Sequence, residues 1–131
     1  MVRFDPAGPE PRVRDMMTGV AATATPATSV GEAHGLLREH GMRHLPVLDG
    51  ELLVGIVSQH DLLLAESDAF PIRDVMSRMV FVLSPETPVS HAARVFRERR
   101  LPVLLVVEGR SLVGVLRAAD VLETAWDRTK S

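Results

Sequence analysis

Val13-Arg14-Asp15-Met16-Met17-Thr18 returns 59 positions later (13 to 72) as Ile72-Arg73-Asp74-Val75-Met76-Ser77. The same offset carries Pro26 to Pro85, Thr28 to Thr87, Val30 to Val89 and Arg38-Glu39 to Arg97-Glu98. It also carries Gly50 to Gly109, Val54-Gly55 to Val113-Gly114 and Asp61 to Asp120, with no gap. Register kept through both apolar and turn positions makes the chain two copies of one supersecondary unit. Copies this short are expected to bury a face against each other rather than fold separately.

Each copy reads strand, helix, strand, strand, helix. Ala22 to Thr25 is a short extended piece ended by Pro26. Ser29-Val30-Gly31-Glu32 has capping-box spacing and opens a helix that ends near His40-Gly41. The second copy is expected to start its helix with Thr87 as N-cap and Pro88 at the first helical position, where a missing N–H costs nothing. His44 to Leu48 and Leu52 to Val57 are aliphatic runs joined at Asp49-Gly50, a hairpin signal. Val103 to Val107 and Leu112 to Leu116 repeat them around Glu108-Gly109. A last short helix is expected over Gln59 to Ala65, and again from Ala118 to about Trp126.

The 131 residues are 46% hydrophobic but only 4% aromatic, so the interior must be built from Val, Leu, Ile, Ala and Met. A formal charge of −2 argues against a general nucleic-acid binder. The absence of cysteine excludes disulfides, thiolate zinc sites and a Cys nucleophile, and suits a reducing cytoplasm. No apolar run reaches the ~18–20 residues of a membrane span, and the N-terminus lacks a signal-like apolar region. A cytoplasmic location, with no membrane contact, is therefore expected. Pro6, Gly8, Pro9 and Pro11 mark residues 1–12 as a flexible leader, with the copies at 13–68 and 72–128.

In this setting the motifs become specific. Val13-Arg14-Asp15-Met16-Met17, the run His40 to Val47, and Leu53 to Leu62 resemble a CBS (cystathionine-β-synthase) domain throughout. Ile72-Arg73-Asp74-Val75-Met76 and Leu112 to Asp120 match it a second time, so the likeness covers residues 13 to about 122. The resemblance implies an α/β fold of the α+β type: two tandem β-α-β-β-α repeats about a pseudo-twofold axis, a Bateman module. It further implies a regulatory module, not an enzyme, that holds an adenosine-containing ligand in clefts between the repeats and signals to a separate protein.

Asp61 and Asp120 follow a strand and open the last helix of each copy. A carboxylate there can accept both ribose hydroxyls, the role the family gives it. Ser58-Gln59-His60-Asp61 is equally a capping box that needs no ligand. At Asp120 that alternative weakens, because Arg117 replaces the serine. By the family's pattern a main cleft would combine Arg117, Ala119 and Asp120 with Thr25, Met42, Arg43, His44 and Pro46. Three basic side chains would then converge on a phosphate. A second, weaker cleft would combine Ser58, His60 and Asp61 with Ser84, Leu101, Pro102 and Val103. There Pro102 and Val103 replace the basic pair, and the proline lacks an N–H.

The expected ligand is AMP, ADP, ATP or a relative, acting as a regulatory ligand rather than a cofactor. The rival is a structural dimer module with degenerate clefts. A hydrolase or transferase finds no phosphate loop, nucleophile elbow or metal motif. His34, His40, His44, His60 and His91 form no recognised metal spacing, and Gly41 interrupts His40 and His44. Arg94, Arg97, Arg99 and Arg100 read as a solvated helix face. Leu62 to Ala65, Val121-Leu122 and Ala125-Trp126 supply more apolar surface than short helices need, which predicts a homodimer.

Overall fold

The computed structural model describes residues 9–122, 124 and 126–127. In chain order it contains α1 (Val13–Met16), α2 (Val30–His40), β1 (His44–Asp49), β2 (Leu52–Ser58) and α3 (Gln59–Leu63). A 3-10 turn (Ile72–Asp74) leads to β3 (Val82–Leu83), α4 (Val89–Arg99), β4 (Val103–Glu108), β5 (Ser111–Arg117) and α5 (Ala118–Val121). The expected α+β class is the one adopted, with sheet orders β1-β2 and β3-β4-β5.

Two compact units result, and neither coincides with one sequence repeat. One is Val20–Val80; the other joins the chain up to Gly19 with the chain from Phe81 onward. The reason is backbone hydrogen bonding between residues far apart in the chain: the segment that opens each copy docks on the helix and hairpin of the other copy. In the Val20–Val80 unit, Ile72 N donates to Thr28 O (2.8 Å), and Ser77 and Ile56 exchange bonds of 2.9 and 3.0 Å. In the other unit, Val13 N donates to Thr87 O (2.8 Å), and Thr18 and Val115 exchange bonds of 3.0 and 2.9 Å. Every partner is displaced by the same 59 positions, so the docking is itself repeated.

These docked segments finish the helix starts. An α-helix leaves its first N–H groups without internal acceptors. At α2, Val30 N donates to Phe70 O (2.8 Å) and Gly31 N to Asp68 O (2.9 Å). At α4, Val89 N donates to Pro11 O (3.1 Å) and Ser90 N to Glu10 Oε1 (2.8 Å). Thus Glu10–Arg12, the described end of the expected flexible leader, is held against α4, and Pro11 is buried. Residues 1–8 lie outside the described residues.

Ser29 and Glu32 form the expected capping box, and Gly41 ends α2 in the left-handed conformation (φ 62°). The second copy differs. Pro88, not Thr87, is the N-cap of α4. Its backbone stays extended because it bridges Arg12, and Pro11 and Glu10 supply the acceptors that a Thr87 cap would have supplied. Arg100 stands where the first copy has Gly41 and takes the left-handed conformation without a glycine's freedom (φ 54°).

The hairpins form at the expected places. Asp49 pairs with Leu52 and Glu108 with Ser111, so Gly50-Glu51 and Gly109-Arg110 are the two-residue turns. Both glycines have φ 62°. The expected extended piece Ala22 to Thr25 is reduced to one parallel bridge, Ala24 to Val47, whereas the second copy makes the two-residue strand β3. Leu105 N donates to Phe81 O (3.3 Å) there, and Pro46, the equivalent of Leu105, has no N–H to give.

The last helices are shorter than expected. α3 ends at Leu63, and α5 ends at Val121, where Leu122 turns extended. Trp126 is therefore not helical; it is buried in the core of its unit with Val13, Val89, Phe96, Leu104 and Leu116. Ala24, Val30, Leu37, Leu45, Val57, Leu62 and Ile72 form the core of the Val20–Val80 unit. Leu62, Val121 and Trp126 are thus used inside the units, while Leu63 and Leu64 stay 70% and 67% exposed. Ala125 lies outside the described residues.

Candidate functional site

Each unit presents the same shelf, where the two long strands meet the last helix. In the Val20–Val80 unit His44 opens β1 opposite Ser58, the last residue of β2. Gln59 N donates to Arg43 O (2.9 Å), which ties the start of α3 to the start of β1. Ser58 and Asp61 close the reciprocal box: Ser58 N donates to Asp61 Oδ2 (2.8 Å) and Asp61 N to Ser58 Oγ (3.0 Å). The capping alternative for Asp61 is thus realised, and one carboxylate oxygen is engaged.

His44 is half-buried. Burial pushes its imidazole below the ordinary histidine range, Asp61 pulls it back up, and Arg43 pushes it down. The neutral ring is therefore favoured near neutral pH. Thr25 is exposed and its amide donates to Thr28 Oγ1 (3.0 Å). Arg43 and His60 are exposed, Pro46 is buried, and Met42 packs against the core.

The other unit repeats the backbone and changes the chemistry. Ala118 N donates to Pro102 O (3.0 Å), and Val103 pairs with Arg117. Arg117 makes no side-chain cap. Asp120, in the same position as Asp61, is exposed and has no hydrogen-bond or ion-pair partner among the described residues. Ala119 is exposed beside it, and Leu101 packs against the core. Ser84 is exposed, and its hydroxyl accepts from Glu86 N (3.1 Å).

Thus Thr25, Met42, Arg43, His44, Pro46, Ser58, His60 and Asp61 all stand on the Val20–Val80 unit. Ser84, Leu101, Pro102, Val103, Arg117, Ala119 and Asp120 stand on the other. His44 and Asp61, which the sequence reading assigned to different clefts, are electrostatic neighbours on one shelf.

The arginines of α4 are engaged within their own unit. Arg97 donates to the buried Asp127 through Nε (3.2 Å) and Nη2 (2.8 Å). Arg94 lies 2.8 Å from His91 Nδ1, and Arg99 sits over the Phe81 ring at 5.2 Å. Among the described residues no group of three or more His, Asp or Glu is placed to hold a metal ion. No helix among them is long and apolar enough to cross a membrane.

Sequence reasoning missed Glu10 and Asp127 as anchors of α4, and the close approach at Gly55 and Gly114. A Cβ on Gly55 would lie 2.8 Å from Ser77 O, and one on Gly114 3.0 Å from Thr18 O. A glycine inside a strand at the same place in both copies was the available signal.

A twice-repeated helix, hairpin and short helix, each finished by a segment from the opposite copy, defines a tandem-repeat module with two equivalent shelves. The chain belongs to the CBS domain family, whose model matches residues 13–68 and 72–127. It is 36% identical over 110 residues to an inosine-5′-monophosphate dehydrogenase of Korarchaeum cryptofilum, spanning 83% of this chain and 22% of that enzyme. The chain thus corresponds to about a fifth of that relative. The CBS domain pair of protein MJ0100, solved with 5′-methylthioadenosine and S-adenosyl-L-methionine, superposes with a TM-score of 0.78 at 29% identity, covering 86% of this chain and 94% of that one. CBSX2, solved with AMP, gives 0.75 at 31% identity, covering 85% and 93%.

Proposed function

We propose that the protein is a non-catalytic regulatory module that binds an adenosine nucleotide and signals to a separate partner protein in the cytoplasm. Two neighbours solved with adenosine compounds support the ligand class. The observation that carries the reading is the contrast between the aspartates: Asp61 is engaged in a capping box, whereas Asp120 is exposed with no partner among the described residues. A carboxylate with both oxygens available suits a ribose diol. In this reading Asp120 takes the ribose, and Arg43, His44 and Arg117 meet the phosphate. Thr25, Met42, Pro46 and Ala119 complete the set. Ser58, His60, Asp61, Ser84, Leu101, Pro102 and Val103 form the weaker second set.

The test is calorimetry with AMP and adenosine. Hydrogen bonds to a charged group are worth ~1.5–3 kcal/mol, so Asp120→Ala is expected to weaken AMP about ten- to hundredfold. Arg43→Ala is expected to weaken AMP much more than adenosine. Unchanged affinity in Asp120→Ala rejects that residue as the ribose partner. Silence towards every adenosine compound favours the rival reading, a structural dimer.

A homodimer is part of the same proposal. Leu63 and Leu64 are neighbouring leucines left exposed after α3 has buried Leu62. Their counterparts in the second copy are Leu122, half-buried, and Glu123. An apolar pair such as Leu63-Leu64 is covered most simply by the same pair of a second copy about a closed twofold. Light scattering is expected to give twice the chain mass, and Leu63→Glu with Leu64→Glu to return the monomer. A monomer mass for the unaltered chain rejects the dimer.

A further inference from the structure

The shelf of the Val20–Val80 unit carries a titratable group that the other shelf lacks. His44 is half-buried at the start of β1, opposite Ser58, and its counterpart is Val103. Arg43 adjoins it in the chain and is tied to α3 through Gln59 N. The first turn of α3 brings His60 and Asp61, and Asp61 is held by Ser58. The last turn of α2, which packs against both β1 and α3, brings Arg38, Glu39 and His40. β2 brings no charged side chain. His44 therefore has one cation, Arg43, and one carboxylate, Asp61 (held by Ser58), as electrostatic neighbours, and it is itself half-buried.

We propose that binding a phosphate-bearing ligand beside Arg43 is coupled to uptake of one proton by His44, so that acidification tightens binding. The inference rests on the reading of Arg43 as the phosphate partner. An added anion favours the imidazolium over the imidazole by direct Coulomb attraction. The protonated ring offers the anion a second donor, and the neighbouring Asp61 carboxylate steadies the charge. Neutral adenosine adds no such charge and is not coupled. The second shelf, with Val103 in this position, cannot respond. Acidification and nucleotide would then act together on one shelf alone.

The test is titration calorimetry of AMP and of adenosine into the full chain near pH 6, in buffers of low and high ionisation enthalpy. The phosphate itself titrates at about pH 6, so the quantity read is the difference in proton uptake between the unaltered protein and His44→Gln. The unaltered protein is expected to take up more protons on binding AMP than His44→Gln does, and no more on binding adenosine. Its AMP affinity is expected to gain up to about tenfold per pH unit relative to the variant. Equal uptake by the two proteins overturns the coupling and leaves nucleotide binding standing. Failure of the unaltered protein to bind AMP overturns the nucleotide reading itself, and the coupling with it. Should His44→Gln not fold, the C2–H proton resonance of His44 decides: its titration is expected to move to higher pH when AMP is added. A midpoint that stays in place overturns the proposal.

Discussion

Gly114→Ala is the sharpest probe of how the units are put together. The added methyl carbon would lie 2.7 Å from Met17 Sδ, 3.1 Å from Met17 Cγ and 3.0 Å from Thr18 O. Ordinary carbon contacts need about 3.5–4.0 Å, so something must move by several tenths of an ångström. Met17 can swing aside, but Thr18 O cannot move alone: it accepts from Val115 N at 2.9 Å, while Thr18 N donates to Val115 O at 3.0 Å. Overpacking of this kind costs about 1–3 kcal/mol. Weakening the two backbone bonds adds about 0.5–1.5 kcal/mol each, so a loss of about 2–6 kcal/mol is expected. Trp126 is the single tryptophan and lies in the core of this same unit, so its fluorescence in urea reports the change directly. With an m-value of about 2 kcal/mol/M, the midpoint falls by at least about 1 M. Gly19→Ala, whose Cβ would meet nothing within 4 Å, is the control and is expected to stay within about 0.5 kcal/mol. A midpoint for Gly114→Ala that matches the control would refute the close docking of Met17–Thr18 on β5.

Arg100 holds a left-handed conformation at the end of α4 that costs a non-glycine residue about 1–2 kcal/mol; Arg100→Gly is therefore expected to raise stability by up to about 1 kcal/mol, and a lower urea midpoint would contradict the assignment. Folding lowers the pKa of His44, so the unfolded chain binds the extra proton first. Stability from this group is complete above about pH 6.5 and falls as the pH drops through the ordinary value towards the folded one. Urea midpoints between pH 7.5 and 5.5 are expected to decline more steeply for the unaltered chain than for His44→Gln, and parallel declines would refute the role of burial. Ser58→Ala breaks the capping box at α3 and is expected to cost about 0.5–2 kcal/mol, whereas Arg117→Ala, at the equivalent place without a cap, is expected to be near neutral; equal losses would show that the box contributes nothing.

What the sequence made legible is what depends on near neighbours. The Ser29–Glu32 box, the left-handed Gly41 and the glycine turns after Asp49 and Glu108 all formed where the residues pointed. The N-cap of α4 was misread because its acceptors come from Glu10 and Pro11, about 80 positions away, and no local spacing encodes them. The single bridge at Ala24 was misread for a similar reason. Its partner strand carries Pro46, and a missing amide across the ladder is invisible from Ala22 to Thr25 alone. At the shelves, residue types were legible but not their use. Ser58 and Asp61 bond each other, and nothing in their spacing says whether a carboxylate serves a helix start or a ligand.

The two copies act as controls for each other. Where the backbone is held, they agree position by position: Val13 with Ile72, Thr18 with Ser77, Gly55 with Gly114, each making the same bond or the same close approach. Where the strands meet the last helix they diverge: Val103 stands at the position equivalent to His44, Arg117 at that of Ser58, and Pro102 at that of Arg43. The backbone bonds at that place are nonetheless retained, Gln59 to Arg43 O and Ala118 to Pro102 O, at 2.9 and 3.0 Å. A shape kept by main-chain bonds tolerates changes in the side chains that stand on it. The divergence leaves the backbone of both shelves in place, one carrying Arg43, His44, Ser58 and Asp61, the other Arg117 and an Asp120 with no partner among the described residues. Two equal ligand sites would need equal side chains at these positions. On the proposed function a ligand would therefore meet unequal side chains on the two shelves, and Asp61→Ala and Asp120→Ala are expected to differ in their effect on AMP affinity measured by calorimetry, equal losses speaking against that inequality.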